Sequence, residues 1–227
     1  MAAEALLPWH QDPWARLWER HRAGRLPHAL LCCGPAGLGK RRFAQRFAQA
    51  LLCQSPDGDG APCGRCRRCR LFAAGSHPDY LRLEPAEAGK SIAVDQVRRL
   101  GEFLGLTSHF GGFRPALLAP ADSLNRNAAN ALLKTLEEPP AAGVLLLVTD
   151  APSRLPATVR SRCQRLAFAP PDPAAALAWL APQVGGHDPA VLLALAGGSP
   201  LTALACSDAE TLERRRALFA AFAGVLG

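Results

Sequence analysis

Four of the eight cysteines in this 227-residue chain fall in one short stretch. They are Cys53, Cys63, Cys66 and Cys69, in the pattern C-x9-C-x2-C-x2-C. Four thiolates bind zinc tetrahedrally, and C-x2-C steps let consecutive ligands wrap one ion. Because four sulfurs leave no open coordination position, the pattern predicts a structural Zn²⁺ site. An iron–sulfur cluster, which also takes cysteine ligands, and four free thiols are the alternatives.

A glycine-rich segment is the second candidate site. Gly34, Gly37, Gly39 and Lys40 belong to the run Gly-Pro-Ala-Gly-Leu-Gly-Lys-Arg, which follows an apolar stretch and precedes an amphipathic one. That context is typical of a phosphate-binding loop, whose backbone N–H groups surround phosphate oxygens at a helix N-terminus. In such a loop Lys40 would reach the terminal phosphates of a nucleotide.

The same loop lacks the residues that hold magnesium. Arg41 stands where an active loop carries Ser or Thr to bind Mg²⁺, and a guanidinium repels a cation. The second ligand should be a carboxylate directly after a neighbouring strand, where this chain has Ala119 and Pro120. Asp122 comes later, and we expect it to cap the next segment. The pattern predicts no Mg²⁺ site and no ATP hydrolysis. It leaves ATP or ADP binding open, and an active ATPase with an atypical metal site is the alternative.

Alternating strands and helices must position these residues. Nearly continuous apolar runs predict parallel strands covered on both faces at 115–119 and 144–149. A short apolar run predicts a buried strand at 28–33, and a fourth short strand is expected at 164–168. Amphipathic spacing predicts helices at 41–52 and 128–138. Asn125 and Asn127 mark the start of the second helix, and Pro139-Pro140 ends it. The alternation predicts an α/β fold with a parallel sheet flanked by helices.

A proline-rich joint at 169–173 ends the predicted sheet domain. We therefore expect one domain at 1–169, with the cysteine pattern inserted at about 53–69. Apolar periodicity predicts short helices beyond the joint and a small helical domain at 170–206. Residues 207–227 are predicted to begin a further helical domain that stops in mid-pattern.

Composition narrows the compartment and the partners. The formal net charge is +7, and the chain has only three lysines beside its many arginines. A basic balance suits nucleic acid or an acidic protein partner, although arginine-rich codon usage would also explain it. The longest apolar runs are strand-sized, and Glu4 stands where a signal peptide would be basic. We expect a cytoplasmic protein without membrane association, in which thiols stay reduced and form no disulfide framework.

Two further motifs resemble those of a known family. One is Asn-Ala-Ala-Asn-Ala-Leu-Leu-Lys-Thr-Leu-Glu-Glu-Pro-Pro at 127–140, and the other is Ser161-Arg162-Cys163. Both resemble signatures of bacterial clamp loader subunits of DNA polymerase III, which are AAA+ proteins. The cysteine pattern after the first helix is also similar to that family's. The resemblance covers about 26–204. It implies an AAA+ P-loop domain, a zinc-binding insertion, a helical lid domain and, at 207–227, the start of a collar domain.

Within that family the chain resembles the non-hydrolysing subunits more than the ATP-hydrolysing gamma or tau subunits. Active relatives carry Asp-Glu-Ala-Asp where this chain has Ala-Pro-Ala-Asp at 119–122. The resemblance gives Arg162 the role of an arginine finger in the ATP site of a neighbouring subunit. From the residues alone, Arg162 would be a solvated loop residue. The resemblance also places Thr149 at the family's sensor position.

The partners that the resemblance implies are gamma or tau and delta subunits in a heteropentamer, together with the sliding clamp and primed DNA. The chain would act as part of the polymerase holoenzyme. A zinc-dependent DNA-binding module, using the arginines at 65–70, is the remaining alternative. It is disfavoured because no aromatic residues alternate with those arginines to stack on bases.

Overall fold

A parallel sheet forms the centre of the fold in a computed structural model that describes residues 5–87 and 89–208. Its strands are β1 (Ala29–Cys33), β2 (Leu81–Leu83), β3 (Arg114–Leu118), β4 (Gly143–Thr149) and β5 (Gln164–Ala167). They lie in the order β2-β3-β4-β1-β5, and every pairing is parallel. The three central strands are buried at every position, as apolar runs covered on both faces should be. The predicted parallel α/β fold is confirmed.

Helices alternate with the strands along the chain, and further helices follow the last strand. In chain order they are α1 (Gln11–Arg22), α2 (Lys40–Leu52), α3 (Arg67–Ala73), α4 (Val94–Gly105), α5 (Arg126–Glu137), α6 (Ala157–Arg160), α7 (Pro173–Leu180), α8 (Pro189–Leu195) and α9 (Pro200–Cys206). The start of α5 is capped as predicted, because the side chain of Asn125 accepts a hydrogen bond from the N–H of Ala128 at 2.8 Å. Pro139-Pro140 follows directly after its end.

The core is built from the alternating side chains of the central strands. On one face, leucines of β3 and β4 pack with α4 and α5 through Leu100, Leu104, Leu132 and Leu136. Elsewhere in the core, Phe43 and Phe47 of α2 are fully buried, and both rings meet Trp14 of α1 edge-on at 5.7 Å. These layers hold the carboxyl ends of the strands, and the loops that follow them, in fixed positions.

The chain groups into two compact units. One consists of the residues up to Gly34 together with Lys40–Phe168, and it contains the sheet. The other consists of Pro35–Gly39 and the described residues from Ala169 onward. In the second unit α7, α8 and α9 pack around a small apolar cluster. The domain boundaries stay predictions. From residue 209 on, the predicted collar segment at 207–227 lies outside the described residues.

The helices of the second unit are short. Asp172 caps α7 and Asp188 caps α8, each with a proline in the first turn. Among the described helices, no single one is long and apolar enough to cross a membrane. Helices α8 and α9 meet that test only together, and they are bent by 109° at their junction.

A buried ion pair fixes the loop between α4 and β3. Asp79 and Arg114 lie 2.7 Å apart, with 0% and 4% of their side chains exposed. Asp79 also accepts hydrogen bonds from the N–H groups of His109 and Phe110 and from the hydroxyl of Ser108. Burial acts to raise the pKa of Asp79, but these hydrogen bonds and the arginine outweigh it and hold that pKa below its usual range.

We expect Asp79→Ala to lower the free energy of unfolding by about 3–5 kcal/mol, because it leaves Arg114 buried without its counter-ion. Since the pKa of Asp79 is lowered by folding, its contribution is present above the unfolded pKa and is lost as the pH falls below about 4. Urea unfolding at pH 7 and pH 3 measures both effects. Asp95→Ala, which removes an exposed carboxylate beside Arg98, is the control and should cost under about 1 kcal/mol.

Candidate functional site

The four predicted cysteine ligands come together in space. Cys53 follows the end of α2, Cys63 and Cys66 lie in the connecting loop, and Cys69 is in α3. Their four Sγ atoms all lie within 4.8 Å of one another. The Sγ atoms of Cys53 and Cys63 are 3.5 Å apart. A tetrahedral Zn–S length of about 2.3 Å implies sulfur–sulfur distances of about 3.8 Å. The cluster therefore fits one zinc ion with small adjustments.

Backbone N–H groups point at these sulfurs. The N–H of Cys63 donates to the sulfur of Cys53, that of Cys66 to Cys63, and that of Cys69 to Cys66, each at 3.4 Å. Burial acts to raise the pKa of Cys66, but the N–H groups of Cys69 and Gln54 outweigh it and lower that pKa to about 6. Burial raises the pKa of Cys69. Part of the cluster is thus ready to bind a cation as thiolate, and the rest must release protons on binding.

One side of the cysteine module, residues 53–73, is fixed to α1. The indole N–H of Trp14 donates a 2.9 Å hydrogen bond to the carbonyl of Asp59. Gly60, with a φ of +85°, lies so close to the ring of Trp18 that any Cβ would overlap it. The module loop is therefore packed against the helix rather than projecting into solvent.

The other side of the cysteine module contacts the residues that precede β2 and β3. Phe72 of α3 packs on Tyr80 with ring centroids 4.5 Å apart. Arg68 donates to the carbonyl of Phe110 at 2.9 Å, and its guanidinium lies 5.1 Å from the centroid of the same ring. Phe110 belongs to the loop that Asp79 organises. The module is thus held from two sides, as a structural metal site requires.

Charges within the cysteine module balance once a metal is bound. Zinc with four thiolates carries two negative charges. The other charged side chains of the module are Arg65, Arg67, Arg68 and Arg70, with Asp57 and Asp59. The arginines therefore neutralise the metal centre and the two aspartates, and little net positive charge remains to attract a polyanion.

The glycine-rich loop uses backbone conformations and close approaches that favour glycine. Gly34, Gly37 and Gly39 all have positive φ values, of 151°, 75° and 80°. A Cβ at Gly34 would clash with the carbonyl oxygen of Phe168, and one at Gly37 would clash with the side chain of Thr202. Only glycine fits at these two positions.

The cations of the loop are paired with carboxylates of the same chain. Lys40 is 3% exposed, and its Nζ lies 2.6 Å from Asp150, which directly follows β4. Arg41 forms an ion pair with Glu84, which follows β2. The carbonyl of Gly37 accepts a hydrogen bond from the N–H of Leu201 at 3.1 Å. Lys40, the cation that would reach the phosphates in an active loop, therefore already has a partner.

The expected magnesium ligands are absent from the end of β3. Ala119 and Pro120 follow the strand and offer no side-chain oxygen. From the sequence we expected Asp122 to cap the segment after β3, but it does not. Its Oδ1 instead accepts a hydrogen bond from the hydroxyl of Thr149 at 2.5 Å. The capping prediction was wrong because Thr149, at the end of β4, lies close enough to bind the carboxylate. Thr149 is thus paired with Asp122.

Arg162 lies in the turn after α6. Its Nη1 donates to the carbonyl of Thr158 at 3.0 Å, and its Nη2 lies 2.7 Å from Oε1 of Glu137. The next residue, Cys163, is buried, and burial raises its pKa to about 11. The buried Cys163 thus adjoins an arginine side chain that is 37% exposed. Arg162 is exposed in the turn, as expected of a solvated loop arginine, and its guanidinium has these two partners.

Sequence reasoning missed the carboxylates that hold these cations. Asp150 had a usable signal, because it follows β4, and β4 pairs with the strand that leads into the glycine loop. The carboxyl ends of neighbouring parallel strands meet at one edge. Glu84 and Glu137 gave no such signal, since β2 is too short to recognise and Glu137 meets Arg162 only through helix packing.

Comparison with known proteins identifies the family. A family model described as "DNA polymerase III, delta subunit" matches residues 9–172. DNA polymerase III subunit delta' of Pseudomonas aeruginosa is 51% identical over 213 residues, which cover 92% of this chain and 64% of the relative. The chain belongs to the DNA polymerase III delta-prime family. The Escherichia coli member is 40% identical and is matched over 95% of this chain and 65% of its own length. The chain thus spans slightly less than two thirds of these two relatives.

More distant similarities agree with this membership. The tau subunit of Salmonella typhimurium is 38% identical over 62% of this chain and 21% of its own. A gamma subunit-related protein from Thermotoga maritima superposes with a TM-score of 0.55 at 19% identity, covering 87% of this chain and 57% of that one. A RuvB mutant from the same organism gives 0.51 at 14% identity, over 91% and 63%. These structures show the fold alone, which is the AAA+ fold that the family resemblance implied.

Proposed function

We propose that this chain acts as the delta-prime subunit of a DNA polymerase III clamp loader. It hydrolyses no ATP itself and places Arg162 in the ATP site of a neighbouring gamma or tau subunit. The single observation that carries the proposal is the ion pair between Lys40 and Asp150, at 2.6 Å and buried on the lysine side. The lysine that would bind phosphate is held by the chain's own carboxylate.

The absence of two magnesium-binding side chains supports the same proposal. ATP hydrolysis in P-loop proteins needs a metal ion that bridges the phosphates, held by a loop Ser or Thr and by an acidic residue after a strand. Arg41 and Ala119 replace these ligands. With two of the metal's protein ligands missing, no metal ion would be held in place to neutralise the charge that develops on the phosphate.

Arg162 supplies the missing chemistry to another subunit. A guanidinium beside the transferring phosphoryl group stabilises the negative charge of the transition state. Its planar fork of N–H donors matches phosphate oxygens in a way that a lysine cannot. The named relatives, which include delta' and tau subunits, support a complex with gamma or tau. We extend this to a cytoplasmic heteropentamer that also contains delta and loads the sliding clamp on primed DNA.

Zinc has a structural role in this proposal. Cys53, Cys63, Cys66 and Cys69 would hold the ion, and four sulfur ligands leave no position for substrate or water. The ion would fix the loop after α2 against α1. The alternative of a zinc-dependent DNA-binding module has no support from the charges, since the arginines of the cysteine module are balanced within it.

ATP turnover by the purified chain tests the non-hydrolysing part of the proposal. We expect no Mg²⁺-dependent hydrolysis above background, and no further change in Lys40→Ala. We also expect Arg41→Thr, which restores one metal ligand, to remain inactive because Ala119 still offers none. Turnover by the unaltered chain that disappears in Lys40→Ala would instead establish an active ATPase with an atypical metal site.

A further inference from the structure

The side chain of Arg162 is held in place before any neighbouring subunit arrives. Two different nitrogens of its guanidinium are engaged, Nη1 by the carbonyl of Thr158 and Nη2 by the carboxylate of Glu137. Two acceptors on two nitrogens fix both the position of the group and the rotation of its plane. A single acceptor would leave the plane free to turn.

Both acceptors belong to well-packed elements. Glu137 is the last residue of α5, whose Leu132 and Leu136 are buried and whose end is set by the Pro-Pro pair that follows. Thr158 is in α6, directly before the fully buried Val159. The two acceptors that hold Arg162 are therefore as rigid as the two helices that carry them.

The two contacts leave other N–H donors of Arg162 for a ligand. A guanidinium has five N–H groups, and the two hydrogen bonds engage one on each Nη. The Nε–H and one hydrogen on each Nη stay available to phosphate oxygens. The carboxylate of Glu137 is 50% exposed, so water screens its charge while the hydrogen bond still directs the guanidinium.

We propose that Glu137 is a positioning residue that orients Arg162 for the ATP site of the neighbouring subunit. This inference rests on the proposed function of Arg162. Without Glu137 the arginine must lose its rotamer freedom at the moment of reaction, which lowers the rate at that site. Glu137 touches Arg162 and not the nucleotide, so its effect should appear in kcat rather than in the affinity for ATP.

The test uses the full-length protein assembled with its gamma or tau and delta subunits. We expect Glu137→Ala to lower kcat at the neighbouring site by about fivefold, the size expected for partial loss of an arginine's preorganisation, with KM for ATP unchanged. Glu137→Gln, which keeps an oxygen acceptor, should retain most of the activity. Glu138→Ala removes the adjacent exposed carboxylate with the same change in charge, and it should have no effect.

A double variant separates positioning from a merely structural role. In an Arg162→Ala background, Glu137→Ala should cause no additional loss, because the group that it orients is gone. An additional loss of similar size there would overturn the inference. If Arg162→Ala lowers turnover and Glu137→Ala does not, the positioning role alone fails. If Arg162→Ala itself has no effect, the proposed function fails instead.

Discussion

Arg162→Ala is expected to slow ATP hydrolysis at the neighbouring site by a factor on the order of 10³ or more, the effect of removing an arginine finger. The loader should still assemble, because Arg162 is a partly exposed side chain whose removal leaves the buried Cys163 in place. The measurement is phosphate release by the reconstituted loader with clamp and primed DNA, and gel filtration checks assembly. The ATP hydrolysis rate of the whole loader should therefore fall by at least the fraction of turnover that this site contributes.

Two further variants make this result specific. Arg160→Ala removes an exposed arginine two positions away, with the same change in charge, and should leave turnover unchanged. Arg162→Lys keeps the charge but loses the planar fork, so it should recover little activity. Turnover that is the same in Arg162→Ala and the unaltered loader would remove the proposed role of this residue.

Removal of the metal is the second change with a large expected effect. The purified chain should contain one zinc ion, and Cys69→Ser should abolish its retention. Structural zinc sites contribute apparent binding free energies of about 10–16 kcal/mol in small peptides, which rivals the stability of a whole domain. We therefore expect the zinc-free chain to lose the order of residues 53–73 and to melt at a clearly lower temperature. Elemental analysis with thermal unfolding measures both.

The control is a buried cysteine outside the cluster. Cys206→Ser replaces a core residue of α9 and should lower stability modestly while the zinc content stays at one per chain. Acid should mimic metal removal, because protons compete with zinc for the thiolates, so affinity falls as the pH falls. Full zinc retention in Cys69→Ser would contradict the four-cysteine site.

The sequence predicted the elements whose burial is uniform. Strands β1, β3 and β4 are buried along their whole length and mostly apolar, as strands covered on both faces of a sheet should be, and that pattern is hard to mistake. The cysteine cluster was predictable for a different reason. Its residues are close in sequence, and the geometry of metal binding constrains the spacing between them. The clustering of the four cysteines could thus be predicted from residue order alone.

Other elements gave weak signals for physical reasons. Strand β2 has three residues and an exposed Arg82 at its centre, so it shows no apolar run and is too short for an alternation of apolar and polar residues to be recognised. Helix α4 contains Gly101 and ends at Gly105, and both lower its helix propensity. The partners of Lys40 and Arg162 lie far along the chain, and only the packed fold brings their carboxylates within reach.

The contacts of Trp14 and Trp18 with the loop of the cysteine module have a practical consequence. These are two of the four tryptophans of the chain. Both are mostly buried, at 4% and 7% exposure, and both rest on residues that metal binding would order. Intrinsic fluorescence should therefore report occupancy of the metal site directly. A red-shifted emission on chelation, reversed by added zinc, would give a label-free readout of the module in every variant described above.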